Sequence, residues 1–155
     1  MAAANGFAGR TIEVGRYTLY YVDEGRGFPI LLIHGLAGDH TAWTPQIEGW
    51  RSRYRVIATD TRGAGRSTQI DEPITMQDLA DDFLMFLDKL GIEKCHIVGR
   101  SMGGSIGQLM ALKAPAKVHT LTFLSSCAKF EPVSKRYLDN MRDVLEWRQS
   151  WADHG

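Results

Sequence analysis

Gly99-Arg100-Ser101-Met102-Gly103 follows the apolar run Cys95-His96-Ile97-Val98 and leads into a segment of helical spacing, Ile106, Leu109 and Met110, that ends near Ala114 before Pro115. Strand, tight turn and helix in that order read as a nucleophile elbow. The turn forces its middle residue into a strained backbone conformation, and small residues two before and two after it keep their side chains clear of the neighbouring strand and helix. Such a turn lifts the Ser101 hydroxyl above the sheet. The N-terminus of the helix behind it offers N–H groups and positive dipole where an oxyanion would form. The competing reading is an ordinary turn serine.

Upstream, Ile30-Leu31-Leu32-Ile33 is continuously apolar, as expected of a strand covered on both faces of a parallel sheet, and it delivers the chain into His34-Gly35-Leu36-Ala37-Gly38. Tyr54 to Ala58 is a further strand and ends in Asp60-Thr61-Arg62-Gly63-Ala64-Gly65-Arg66-Ser67. Before these, Thr11 to Val14 and Tyr17 to Val22 flank Gly15-Arg16 as a hairpin. Asp39 or Thr41 can cap a helix on which Trp43, Ile47 and Trp50 recur. Thr75 and Asp78 form a capping-box pattern ahead of the stripe Leu79, Phe83, Phe86, Leu87 and Leu90, which Gly91 terminates. Val118 to Leu124 is the last strand, and Val133, Tyr137, Met141, Val144 and Trp151 then follow an amphipathic helical pattern. The expectation is a three-layer α/β domain of about six strands, mostly parallel with an N-terminal antiparallel hairpin, over residues 1–128, followed by a cap-like helical segment over 129–155.

Composition narrows the function. Eighteen basic and 18 acidic residues give no net charge, which argues against a nucleic-acid groove or attachment to anionic lipid and for a small-molecule substrate. No segment has the apolar length of a signal-peptide core or a membrane span, so a cytoplasmic protein is expected. Cys95 and Cys127 fall at opposite ends of neighbouring strands, roughly 20 Å apart at the rise of a strand, so no disulfide is expected. No metal-binding spacing appears, and neither metal nor cofactor is expected. Gly63-x-Gly65 resembles part of a dinucleotide fingerprint, but position 68 is Thr where the third glycine would stand.

Three motifs at three successive strand ends, His34-Gly35, Asp60-x-Arg62-Gly63-x-Gly65-x-Ser67 and Gly99-x-Ser101-x-Gly103, resemble the N-terminal half of an α/β-hydrolase over nearly the whole chain. The pattern is similar to the branch of 3-oxoadipate enol-lactonases, meta-cleavage product hydrolases and small esterases. The resemblance implies hydrolysis of an ester, lactone or related acyl or carbon–carbon bond, with Ser101 as nucleophile and the backbone N–H groups of Leu36 and Met102 as oxyanion donors. It also implies that His34 hydrogen-bonds backbone rather than moving protons, and that Asp60, Arg62 and Arg66 hold a loop together. Haloalkane dehalogenases and epoxide hydrolases share the fold but carry aspartate at the elbow, so Ser101 favours acyl transfer. Arg100 is a candidate for a substrate carboxylate, with a solvent-facing arginine as its plain alternative. Trp147 and Trp151 read as a packing face.

The triad of this fold runs nucleophile, acid, histidine. After Ser101 the histidines are His119, at the start of the last strand, and His154, and the carboxylates Asp139, Asp143 and Asp153 lie in the helical segment. None occupies a position where a base or acid is expected. The sequence therefore reads as a truncated or split serine hydrolase, inactive alone, whose outer strand could self-associate or accept a complementing chain; a non-catalytic binding protein is the rival reading.

Overall fold

The computed structural model describes residues 6–126. Strands β1 (Gly9–Val14) and β2 (Tyr17–Glu24) form the expected hairpin, closing on the Val14–Tyr17 pair around Gly15 at φ 59°. Four more strands follow: β3 (Pro29–Ile33), β4 (Arg55–Thr59), β5 (Cys95–Arg100) and β6 (Val118–Leu124). They join in one sheet of order β1-β2-β4-β3-β5-β6, antiparallel through β2 and β4 and parallel from β4 to β6. Helices α1 (Thr44–Trp50), α2 (Met76–Lys89) and α3 (Met102–Lys113) cover it, with short 3-10 turns at His40–Trp43 and Pro115–Lys117.

The unbroken apolar run of β3 has the predicted cause. Leu31 and Ile33 point into a core shared with Phe83, Phe86 and Ile106 of α2 and α3, whereas Ile30 and Leu32 point into a second core with Trp43 and Ile47. Alternation along a strand thus buries every residue when both faces are covered. Helix α2 starts on the Thr75–Asp78 capping box and buries Leu79, Phe83, Phe86 and Leu87, and Gly91 at φ 65° ends it. Helix α3 carries three glycines near its start and owes its place to packing on β3, β5 and β6 rather than to propensity.

Strand β6 lies at one edge of the sheet among the described residues, with Phe123 and Leu124 exposed. Cys95 is buried, which pushes its thiol up to about 12. Cys127, the helical pattern from Val133 to Trp151, and the candidates Asp139, Asp143, Asp153 and His154 lie outside the described residues. No described helix is long and apolar enough to cross a membrane.

Candidate active site

Parallel pairing brings the C-terminal ends of β3, β4 and β5 to one edge of the sheet, so the three motifs arrive there together. Ser101 sits between β5 and α3 at φ 49°, ψ −117°, a conformation costly for any residue with a side chain. The surroundings fix it. Its N–H donates to the Leu124 carbonyl at 2.8 Å, and its own carbonyl accepts from Gly104 N at 3.0 Å and Ser126 Oγ at 2.8 Å. A Cβ on Gly99 would lie 2.3 Å from the Gly103 carbonyl oxygen, and one on Gly103 would lie 2.1 Å from that of Ile33. Only glycine fits either place. Ser101 is also the N-cap of α3, yet its hydroxyl makes no capping hydrogen bond, although serine is among the strongest capping residues.

The loop after β3 lies against the elbow, since a Cβ on Gly35 would be 3.2 Å from Ser101 Cβ. Leu36 follows on the exposed side of this loop. Met102 opens α3, where the first N–H groups have no intrahelical acceptor. His34 is buried, and it donates from Nδ1 to the Gly35 carbonyl at 2.7 Å while its Nε2 accepts the Thr61 N–H at 3.0 Å. Burial lowers its pKa, and with both nitrogens engaged it stays neutral and ties the first loop to the second. Arg100 is exposed on the face of β5 that carries Val98, and it does not line the cleft described below.

Asp60 anchors the second loop through a partner that sequence reading did not find. Fully buried, it accepts from His40 N at 2.7 Å, His40 Nδ1 at 2.8 Å and Arg66 N at 2.8 Å. Burial alone would raise its pKa, but these donors outweigh it and hold the carboxyl below its ordinary value. Ser67 completes the knot, donating to the Asp60 carbonyl at 2.7 Å and accepting from Tyr20 N. Arg62 reaches Asp82 of α2 with two hydrogen bonds of 2.8 and 2.9 Å and lies 3.8 Å over the Tyr17 ring. A charged residue among the buried positions of α2 was the available signal for that pair. Asp39, His40 and Asp60 bring ligand-type atoms within 4.8 Å of one another, but Asp39 Oδ1 already accepts from Thr41 and both Asp60 oxygens are engaged. This is a hydrogen-bonded cluster rather than an open ligand set.

Between the two loops lies a cleft of about 590 Å³ whose walls include Leu36, Ala37, Ile70, Ile74, Leu79 and Met102. A second, smaller groove of about 300 Å³ lies beside Ile30, Tyr54 and His96. His96 packs against His119, and both lie at the opposite ends of their strands from Ser101.

Burial and hydrogen bonding of these groups set an acid limit. His34 has a folded pKa below its ordinary 6.5, so the folded state binds that proton less readily than the unfolded chain, and stability is lost as pH falls below that value. His96, depressed by burial and then by His119, adds to the same limb. Asp60, held below 3.8, contributes stability that is present above that pH and lost beneath it. Calorimetry should give a Tm that declines in two steps, the first below about pH 6.5 and shallower in His34→Asn. A Tm flat from pH 7 to 4.5 would contradict the burial of neutral His34.

The sequence matches the family model of the alpha/beta hydrolase fold over residues 29–154. It is 37% identical over 131 residues to RutD of Azorhizobium caulinodans, whose name assigns it provisionally to carbamate hydrolysis; the match covers 84% of this chain and 49% of that protein. It is 41% identical over 100 residues to 3-oxoadipate enol-lactonase 1 of Acinetobacter baylyi, covering 64% of this chain and 37% of the relative. A thermophilic esterase from Thermogutta terrifontis, solved with malate bound, superposes with a TM-score of 0.77 at 33% identity, over 90% of this chain and 52% of the esterase. The chain spans about half the length, or less, of the curated relatives it matches. With the matched region covering most of its length and all six strands in place, the chain belongs to the α/β-hydrolase fold family.

Proposed function

We propose that this chain carries the nucleophile half of a serine hydrolase acting on an ester, lactone or related acyl compound. Ser101 supplies the attacking oxygen, and the Leu36 and Met102 N–H groups receive the charge that develops on the carbonyl oxygen. The observation that carries this reading is an N-cap serine held at positive φ whose hydroxyl leaves the cap unmade. Hydrolase-named relatives support the reaction class. Among the described residues no imidazole is placed to take the serine proton: His34 is engaged at both nitrogens, His40 is committed to Asp60, and His96 and His119 lie at the far ends of their strands. The base and the acid are therefore proposed to come from beyond residue 126.

Ester turnover tests this. Loss of the base in a serine protease removes about six orders of magnitude in turnover. If the base lies outside the 155 residues, they should hydrolyse p-nitrophenyl acetate barely above background. Joined to the C-terminal half of a relative, the chain should hydrolyse the ester roughly 10³-fold or more faster than its Ser101→Ala counterpart. Strong turnover by the 155 residues that Ser101→Ala abolishes would keep the nucleophile and place a base within this sequence, His154 first. Turnover that survives Ser101→Ala would overturn the assignment.

A further inference from the structure

The cleft beside Leu36 and Met102 has a chemical character of its own. Its apolar walls come from Leu36, Ala37, Ile70, Ile74, Leu79 and Met102, and its size falls within the ordinary range for small-molecule pockets. Three charged residues line it, Asp39, Arg62 and Glu72, and each is already engaged. Asp39 Oδ1 accepts from Thr41 N at 2.8 Å, Arg62 is held by both Asp82 oxygens, and Glu72 accepts from Arg16 at 2.6 Å and from the Tyr17 hydroxyl. Among the residues lining the cleft, two carboxylates, Asp39 and Glu72, stand against one guanidinium, Arg62. An entering anion would meet an excess of carboxylate, and binding it through Arg62 would mean breaking a two-bond pair that is nearly buried.

We propose that this cleft holds an uncharged apolar portion of the substrate, an alkyl or aromatic group, and discriminates against free carboxylates. Calling the bound molecule a substrate rests on the reading of Ser101 as nucleophile; the preference itself rests on the cleft. The neighbouring elements give the sense of the arrangement. Leu36 and Met102 line the cleft and follow directly after Gly35 and Ser101, which lie against each other, so a group seated in the cleft would present its adjoining acyl carbon toward the elbow.

A matched pair of probes tests it: phenylacetamide and phenylacetate share the ring and differ in charge. Titrated into the 155-residue chain with labelled isoleucine, leucine and methionine methyl groups, phenylacetamide should shift Ile70, Ile74, Leu79 and Met102 saturably. Phenylacetate should bind about tenfold or more weakly. Gln69→Lys, an exposed change on the cleft wall, should narrow that gap by adding an uncommitted cation. Equal or tighter binding of phenylacetate by the parent, shifts confined to Ile30 at the second groove, or no saturable shift would each overturn the proposal. The two readings fail separately. Ester turnover indifferent to Ser101→Ala removes the nucleophile and leaves the methyl titration standing, whereas an inverted probe preference removes the cleft assignment and leaves the nucleophile.

Discussion

Gly103→Ala is expected to yield little or no soluble, cooperatively melting protein. The added Cβ would lie 2.1 Å from the Ile33 carbonyl oxygen and 2.8 Å from that of His34. Both are backbone atoms, and Ile33 belongs to the parallel ladder with β5, so neither can yield without breaking sheet pairing at the edge where the site is built. Inserting a methyl group into a packed core ordinarily costs 1–3 kcal/mol, roughly, and a clash with two fixed carbonyls should exceed about 4 kcal/mol. Gly49→Ala is the control. Gly49 lies in α1 with open space around its missing side chain, so the same chemical change should gain about 0.5–1 kcal/mol. Soluble yield, with urea denaturation of whatever folds, separates the cases, and a Gly103→Ala protein with parental stability would mean that α3 does not approach β3 this closely.

Asp60→Ala should be the most damaging substitution in the second loop. It strips an acceptor from His40 N, His40 Nδ1 and Arg66 N at once, leaving buried donors without partners, and a loss of about 3 kcal/mol or more is expected. Asp60→Asn should recover only part. Its amide oxygen can still serve His40, but its NH2 group then faces the Arg66 N–H, donor against donor. Denaturation midpoints should fall in the order parent, Asn, Ala with an unchanged m-value, and an Ala variant within about 0.5 kcal/mol of the parent would remove Asp60 as the anchor of the loop.

Much of this architecture is written locally. The capping box at Thr75 and Asp78, the stop at Gly91, the Gly15 turn and the two-sided burial of β3 each depend on residues a few positions apart, so pattern reading found them. The elbow was legible because glycine is the only residue that the crossing of β5, α3 and β3 admits there. The His40–Asp60 pair was not legible. It forms only because β4 inserts between β2 and β3, placing the two loops side by side, and no spacing in the chain announces that order. Arg62 with Asp82 is intermediate: the partner was unpredictable, but an aspartate among the buried positions of α2 signalled that one must exist.

The strand order also governs when the site can exist. Ile33 and Gly99, the residues leading into the two halves of the elbow region, are direct neighbours across the β3–β5 ladder while most of the described chain lies between them in sequence. Hairpin β1–β2 and the capped helix α2 can form from local contacts, but the β3–β5 ladder must first close a long loop whose entropy is repaid only when the ladder and its covering helices are in place. The Ser101 turn is strained and held by that ladder, by Leu124 of β6 and by α3, so its shape is expected to form in the last, least local step of folding. A refolding chain should therefore acquire most of its secondary structure before it acquires the strained turn at Ser101.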